Sequence, residues 1–397
     1  MPANWLDNLQ KLAGELREDL SRGGKLVLLG SDGPIEIDAY RGYGNDRKVL
    51  IQGRVMRSQN IAKASDQDGT IRNLLNTYKR VRAHPIPQAR IEVKIGGAHR
   101  EVVCDDEGFF RAWVELPAPI PLTAPWAEAR LRLTTPPEAG GEVTATAKIR
   151  LATPDSAFGV ISDLDDTVIQ SRVSNFLLAV RTIMLGNART RLPFPGVMEL
   201  YRALERGADG KRHNPIYYVS SSPWNIHDLI AEFLELQGIP EGPICLRDWD
   251  IDIDALTSQR LKTHKEPLIR EILEVNPDMP FILIGDTSQK DPEIYREIVK
   301  AFPKRIMAVY IRNVDPNPER SAAVQALAEE VLKDGSTLVL ADDSAAAAKH
   351  AAEQGWIQWE ALPVVQAEKR ADEGKTGEKA ATPGGGDDEG APTVVVE

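Results

Sequence analysis

One stretch constrains this chain more than any other: Ala157-Phe-Gly-Val-Ile-Ser-Asp163-Leu-Asp165-Asp166-Thr167-Val168. A short apolar run rich in β-branched residues, bounded by turn signals, is the pattern of a strand buried in a parallel sheet. Its carboxyl end is crowded with acids and a hydroxyl, and open α/β sheets bind ligands at that end. Asp163 and Asp165 are two apart and share a face on a continuing strand. Two carboxylates that close resist ionising together unless a cation joins them. The pair therefore demands a divalent metal or one protonated carboxyl, and either suits phosphoryl transfer.

The pattern around this stretch predicts strands alternating with helices. Apolar runs at Ala157–Ser162, Ile216–Val219, Phe281–Ile284, Ile306–Tyr310 and Thr337–Leu340 are separated by helical spacings at Met198–Arg206, Ile226–Gln237, Pro267–Glu274, Asp291–Ala301 and Glu319–Leu332. Such βαβ alternation implies a mainly parallel sheet with helices on both faces. Asp342-Asp343-Ser344 then opens an Ala-rich helix as its N-cap.

Upstream the period changes. Short alternating segments (Lys25–Leu29, Ile35–Ala39, Lys48–Val55, Ala89–Ile95, Glu101–Cys104, Phe109–Leu116, Ala129–Leu133, Glu142–Leu151) are punctuated by Gly, Pro and Asp, as in a β-sandwich or barrel. Asp105-Asp106-Glu107-Gly108 reads as a tight turn, and Ile71–Val81 as a helix. The charged residues of this half are expected on solvated strand faces. The domain organisation expected is an amphipathic helix over 1–23, a β-rich, sandwich-like domain over 24–153, a catalytic α/β domain over 154–362 with a cap insertion at about 171–213, and a disordered acidic tail over 363–397.

Formal net charge is −11, with no basic block, which argues against a nucleic-acid partner. No apolar run approaches a membrane span, and no secretory leader is evident. Cys104 and Cys245 have neither disulfide-framework nor metal-ligand spacing, so buried thiols of a reducing, cytoplasmic compartment are expected.

Several strands end in polar groups. The second ends in Ser220-Ser221-Ser222-Pro223-Trp224, and the run from Phe281 ends in Gly285-Asp286-Thr-Ser-Gln-Lys-Asp291. Lys262 and Lys265 stand just before a predicted helix. In a parallel sheet these ends converge on one crevice, where Mg2+ takes hard oxygen ligands, a lysine offers a point charge and a serine a donor. Asp163, Ser220, Lys265 and Asp286, in that order on those elements, form a specific set.

That set resembles the haloacid dehalogenase superfamily. More narrowly, Ile161-Ser-Asp-Leu-Asp-Asp-Thr-Val168, Tyr218-Val-Ser-Ser-Ser-Pro-Trp-Asn225 and the segment from Phe281 to Tyr295 resemble the catalytic-domain family of the actin-patch phosphatidate phosphatase. The resemblance runs from about Pro154 to Asp315 and touches Tyr40-Arg-Gly-Tyr-Gly44. It implies a haloacid-dehalogenase-like Rossmannoid fold and Mg2+-dependent removal of phosphate from phosphatidate or a related lipid phosphate. In that reading Asp163 is the nucleophile. Asp165 is the general acid and base. Lys265 and Ser220 hold the phosphoryl oxygens. Mg2+ binds Asp163, the carbonyl of Asp165 and Asp286, with Asp291 ordering its waters. Thr167, Ser221, Trp224 and Lys262 are further substrate-binding candidates. Lys262 is the alternative to Lys265, and Trp224 either walls the pocket or staples its helix. Asp166 is expected to point away and serve structure.

The insertion carries an apolar face at Asn175–Leu185 followed by Arg189 and Arg191. It reads as a packed cap helix or as an element facing lipid, which leaves open a transient contact with a membrane surface. Two alternatives to the lipid phosphatase stand beside it. One is a phosphatase for a soluble ester or phosphoprotein, and the other a non-catalytic binding protein.

Overall fold

In a computed structural model of the chain, the described residues are 33–57, 84–137, 141–164, 196–224, 227–247, 265–287, 290–313, 317–377 and 394–396. The expected helices at 1–23 and 71–81, the strand at 25–29, and the insertion from 171 to 195 lie outside them.

The amino-terminal part is all β: β1 (Ile35–Tyr40), β2 (Gly42–Gly44), β3 (Lys48–Arg57), β4 (His84–Pro85), β5 (Arg90–Ile95), β6 (Ala98–Val103), β7 (Phe109–Glu115), β8 (Trp126–Thr135) and β9 (Thr144–Leu151). They form one hydrogen-bonded sheet in the order β1-β3-β2-β9-β8-β5-β6, with β4 and β7 both paired to β3. Strands far apart in that order share one core, in which Val49, Ile51 and Val114 meet Ile91, Leu131 and Ile149. The sheet thus folds back on itself like a sandwich. Alternation sets the buried face, as in β8, where Ala129, Leu131 and Leu133 point inward and their neighbours outward. The turn at Asp105 closes with the Gly108 N–H donating to the Asp105 carbonyl.

From Gly159 the chain builds a second sheet from β10 (Gly159–Asp163), β11 (Ile216–Pro223), β12 (Ile244–Arg247), β13 (Phe281–Asp286), β14 (Ile306–Arg312), β15 (Thr337–Ala341) and β16 (Val394–Val396). The order is β12-β11-β10-β13-β14-β15-β16, parallel throughout except for the last pair. Its helices are α1 (Val197–Arg206), α2 (His227–Leu236), α3 (Lys265–Val275), α4 (Asp291–Ala301), α5 (Pro318–Lys333), α6 (Ser344–Glu353) and α7 (Ala361–Gly377). Side-chain parity assigns the two faces. Val160, Tyr218 and Ile282 pack with α1, α2, α6 and α7, whereas Ile161, Val219 and Leu283 pack with α3, α4 and α5.

Three expectations need correction. Part of the range expected for a cap, 171–213, is the core helix α1, because Val197, Leu200, Tyr201 and Leu204 form a stripe that the sheet buries. The tail expected to be disordered from 363 contains most of α7 and the strand β16. Its average composition is polar, but one stripe of α7 has partners: Val365 is buried, the Glu199 N–H donates to Glu368, and Lys369 donates to Asp343. Finally, not all charged side chains of the β-rich part are solvated. Arg54 and Arg150 are buried: Arg54 Nε donates to the Glu107 carbonyl within the β-rich part, and Arg150 donates to the carbonyls of Pro125 and His213 at 3.2 and 2.8 Å, the second of them in the other domain.

Candidate functional site

Asp163 is the last residue of β10, and odd-numbered positions there face α3 and α4. Lys265 is the first residue of α3 and Asp291 the first of α4, so the two helices start at the strand end where Asp163 emerges. The Lys265 ammonium bridges two carboxylates, 2.8 Å from Asp163 Oδ1 and 2.9 Å from Asp291 Oδ1. Asp286 ends β13, the other neighbour of β10, and its backbone N–H donates to Asp291 Oδ2 at 3.2 Å. Ligand atoms of Asp163, Asp286 and Asp291 lie within 4.8 Å of one another. Lys265 is 3 % exposed and Asp291 0 %.

Tight backbone packing makes this cluster possible. A Cβ on Gly285 would sit 2.6 Å from Asp291 Oδ2 and 2.9 Å from the Tyr295 ring. Glycine therefore lets α4 bring its first carboxylate against the strand end. The Tyr295 hydroxyl donates to the Ile284 carbonyl at 2.8 Å. Beyond Asp286, buried Thr287 is held by its N–H donating to the Arg312 carbonyl and by Arg320 Nε donating to its own carbonyl. Arg320 is fixed in turn by Glu293 of α4.

Ser220 follows Val219, the register partner of Asp163, so it stands one residue past the nucleophile candidate on the adjacent strand. Its hydroxyl accepts the Ser222 N–H at 3.0 Å, within the part of β11 where the register with β12 shifts. Ser221 is half-buried. Trp224 is buried and borders a cleft of about 580 Å³ whose other walls include Tyr40, Gln52, Phe109 and Arg111 of the β-rich part.

The structure thus brings together Asp163, Lys265, Asp286 and Asp291, with Ser220 on the next strand. Asp165, Asp166, Thr167 and Lys262 lie outside the described residues. Sequence reasoning passed over Arg312, which ends β14 in register with Asp286. The rule that found the other candidates, a polar group closing an apolar strand, applies to Ile306–Arg312 equally. It also passed over Tyr201, which shares a 2.6 Å hydrogen bond with Ser162 beside the site and whose hydroxyl burial pushes up to about 12. No such strand-end signal marks a tyrosine inside a helix.

The donor set is all oxygen. Three carboxylates against one ammonium leave a formal excess of two negative charges in a buried space. That composition fits a hard divalent cation. Fold and site together define an α/β protein with a buried carboxylate–ammonium centre at the carboxyl edge of a parallel sheet.

Residues 158–313 match the family described as phosphatidate phosphatase APP1, catalytic domain. The chain is 28 % identical over 187 residues to phosphatidate phosphatase APP1 of Saccharomyces cerevisiae, covering 47 % of this chain and 31 % of that protein. It is 27 % identical over 161 residues to an uncharacterized protein of Schizosaccharomyces pombe, covering 40 % of this chain and 26 % of the other. Both alignments span less than a third of the relative's length. They bear out the resemblance read from the motifs. Among solved structures, a carbohydrate acetylesterase from Xanthomonas citri aligns at 13 % identity over 72 % of this chain and 71 % of its own, with a TM-score of 0.23, too low to carry an argument.

Proposed function

We propose that this protein is a Mg2+-dependent phosphomonoesterase with a haloacid-dehalogenase-like catalytic domain, acting on phosphatidate or a related lipid phosphate. The observation that carries the reading is Lys265, buried between Asp163 and Asp291 beside Asp286, at strand ends inside the segment that matches a phosphatidate phosphatase catalytic domain.

In this reading Asp163 attacks phosphorus, the bond to the leaving alkoxide breaks, and an aspartyl-phosphate forms. Asp165 gives the alkoxide its proton, then takes a proton from the water that hydrolyses the acyl phosphate and releases inorganic phosphate. Lys265 and Ser220 hold equatorial oxygens, where the transition state spreads negative charge. Asp163, Asp286 and Asp291 would hold Mg2+, which when bound screens charge on the transferring group. We place the protein in the cytoplasm, with membrane contact only as transient as access to a lipid phosphate requires. No helix among the described residues is long and apolar enough to cross a membrane.

The test is phosphate release from phosphatidate in mixed micelles, glycerol phosphate and a phosphopeptide, each with Mg2+ and with a chelator. Release from phosphatidate alone, abolished by chelation and lowered at least about a thousandfold by Asp163→Asn in a protein that stays folded, is the expected result. Preference for the soluble ester or the phosphopeptide would move the substrate class. Release from none of them would leave a binding protein. Undiminished activity in Asp163→Asn would rule out the covalent route.

A further inference from the structure

The β-rich part grips the catalytic domain at two places, and each lies on an element that carries a site residue. The grip starts at the β1–β2 corner, Tyr40-Arg-Gly-Tyr-Gly44. Tyr40 is 4 % exposed and packs into the core on the α1/α2 face of the parallel sheet, while Tyr43, 0 % exposed, packs on the α3 face. The two tyrosines thus straddle the sheet. Gly42 lets the corner lie flat against β3 of its own sheet, since a Cβ there would fall 2.0 Å from the Leu50 carbonyl oxygen.

On the α3 face, three donors converge on Glu271. The Tyr43 hydroxyl and Arg111 both donate to Oε1, and Trp113 Nε1 donates to Oε2 at 3.3 Å. Asn45 Nδ2 adds a hydrogen bond to the Val275 carbonyl, the last residue of α3, at 2.9 Å. Lys265 opens the same helix. Glu271 follows it by about 9 Å of helical rise, and an α-helix of this length moves as one body. On the other face, the Tyr40 ring stacks on His227 at 3.6 Å and on Trp224 at 5.7 Å between centroids. Trp224 closes the segment that begins at Ser220, and His227 opens α2 just beyond it.

We infer that the β-rich domain is a positioning scaffold for the reaction: Tyr43 and Glu271 set the axial position of α3 and thereby of the Lys265 ammonium, and Tyr40 sets the Ser220–Trp224 end of β11. The inference rests on the phosphatase reading above. It assigns no chemistry to the β-rich domain. Tyr40, Tyr43 and Glu271 are positioning residues, acting through Lys265 and Ser220. An Å-scale displacement of groups that hold a transition state costs about a hundredfold in rate. The ammonium also sits between two carboxylates, so it has little latitude before it favours one over the other.

The experiment compares the full chain with Glu271→Ala, Glu271→Gln, Tyr43→Phe, Tyr40→Ala and Tyr40→Phe. It measures kcat and KM on p-nitrophenyl phosphate and on phosphatidate micelles, with circular dichroism to confirm folding. Glu271→Ala and Tyr40→Ala are expected to lose about a hundredfold, chiefly in kcat and equally on both substrates. Tyr40→Phe, which keeps the stacked ring, should stay within about twofold of the parent, and Glu271→Gln should fall between. Should Glu271→Ala fail to fold, Tyr43→Phe removes one hydroxyl and no other volume, and carries the same expectation at about tenfold. Folded variants that all keep the parent's kcat would overturn the inference and reduce the contact to mere cohesion, leaving the phosphatase reading intact. A parent that releases phosphate from no ester would instead overturn the phosphatase reading and this inference with it.

Discussion

Lys265 is buried with its ammonium between two acids, and burial of a charge is tolerable only because both partners are ionic and close. Replacing it by methionine keeps most of the volume and strips away the cation that Asp163 and Asp291 share. The expected loss is about 3–5 kcal/mol in urea denaturation, since carboxylates would then crowd a low-dielectric space without their ammonium. If Asp163, Asp286 and Asp291 hold Mg2+, millimolar Mg2+ should recover part of that loss in Lys265→Met and raise the parent less. A variant whose midpoint ignores Mg2+ would argue against the site. Within the parallel sheet, the candidate residues were legible one by one, because an apolar run that stops at an acid, a hydroxyl or a glycine–acid pair is a local signal. Their mutual distances were not legible, because parity on β10 and the starting points of α3 and α4 decide them jointly.

At the scale of elements, α7 shows how a segment of polar average can still order. Its window composition resembles a solvated tail, yet Val365 enters the core shared with α1 and α6, and Lys369 reaches Asp343, the residue that caps α6. Val365→Ala is therefore expected to cost about 2 kcal/mol by urea denaturation. A tail without partners would register nothing. The four-residue strand β12 escaped notice for the opposite reason. Ile244-Cys-Leu-Arg247 is too short to show a period, and only pairing with β11 makes it the sheet edge. The Ala-rich helix after Asp343, by contrast, was readable, since its cap is a local hydrogen bond from Ala345 N–H to the Asp343 carboxylate at 2.8 Å.

For the whole molecule, the junction between the domains makes stability depend on pH. His227 lies buried against Tyr40, and burial lowers its pKa from 6.5 to about 3, with Asp38 raising it and Arg41 lowering it further. Its 3.1 Å contact with Asp228 is accordingly a hydrogen bond of a neutral imidazole rather than an ion pair. Because the folded pKa lies below the unfolded one, this contribution is complete above about pH 6.5 and is lost as pH falls toward 3. One group so shifted removes about 2 kcal/mol between pH 7.5 and pH 5. His227→Gln should flatten that part of the urea-midpoint profile, and a variant as acid-sensitive as the parent would show that the histidine is not held neutral. What the amino-acid order settled unaided was periodic: most of the longer strands and helices, where the all-β part gives way to alternation, and the polar ends of the strands that close at Asp163, Ser220 and Asp286. Those follow from neighbours in sequence, through pleat, turn and cap. Tertiary structure alone decided that Arg150 and Gln52 are buried, that Glu271 gathers three donors, and that Tyr40 and Tyr43 clasp opposite faces of another domain's sheet. Each of these depends on a partner that is usually distant in the chain, and a contact between distant residues leaves no local trace.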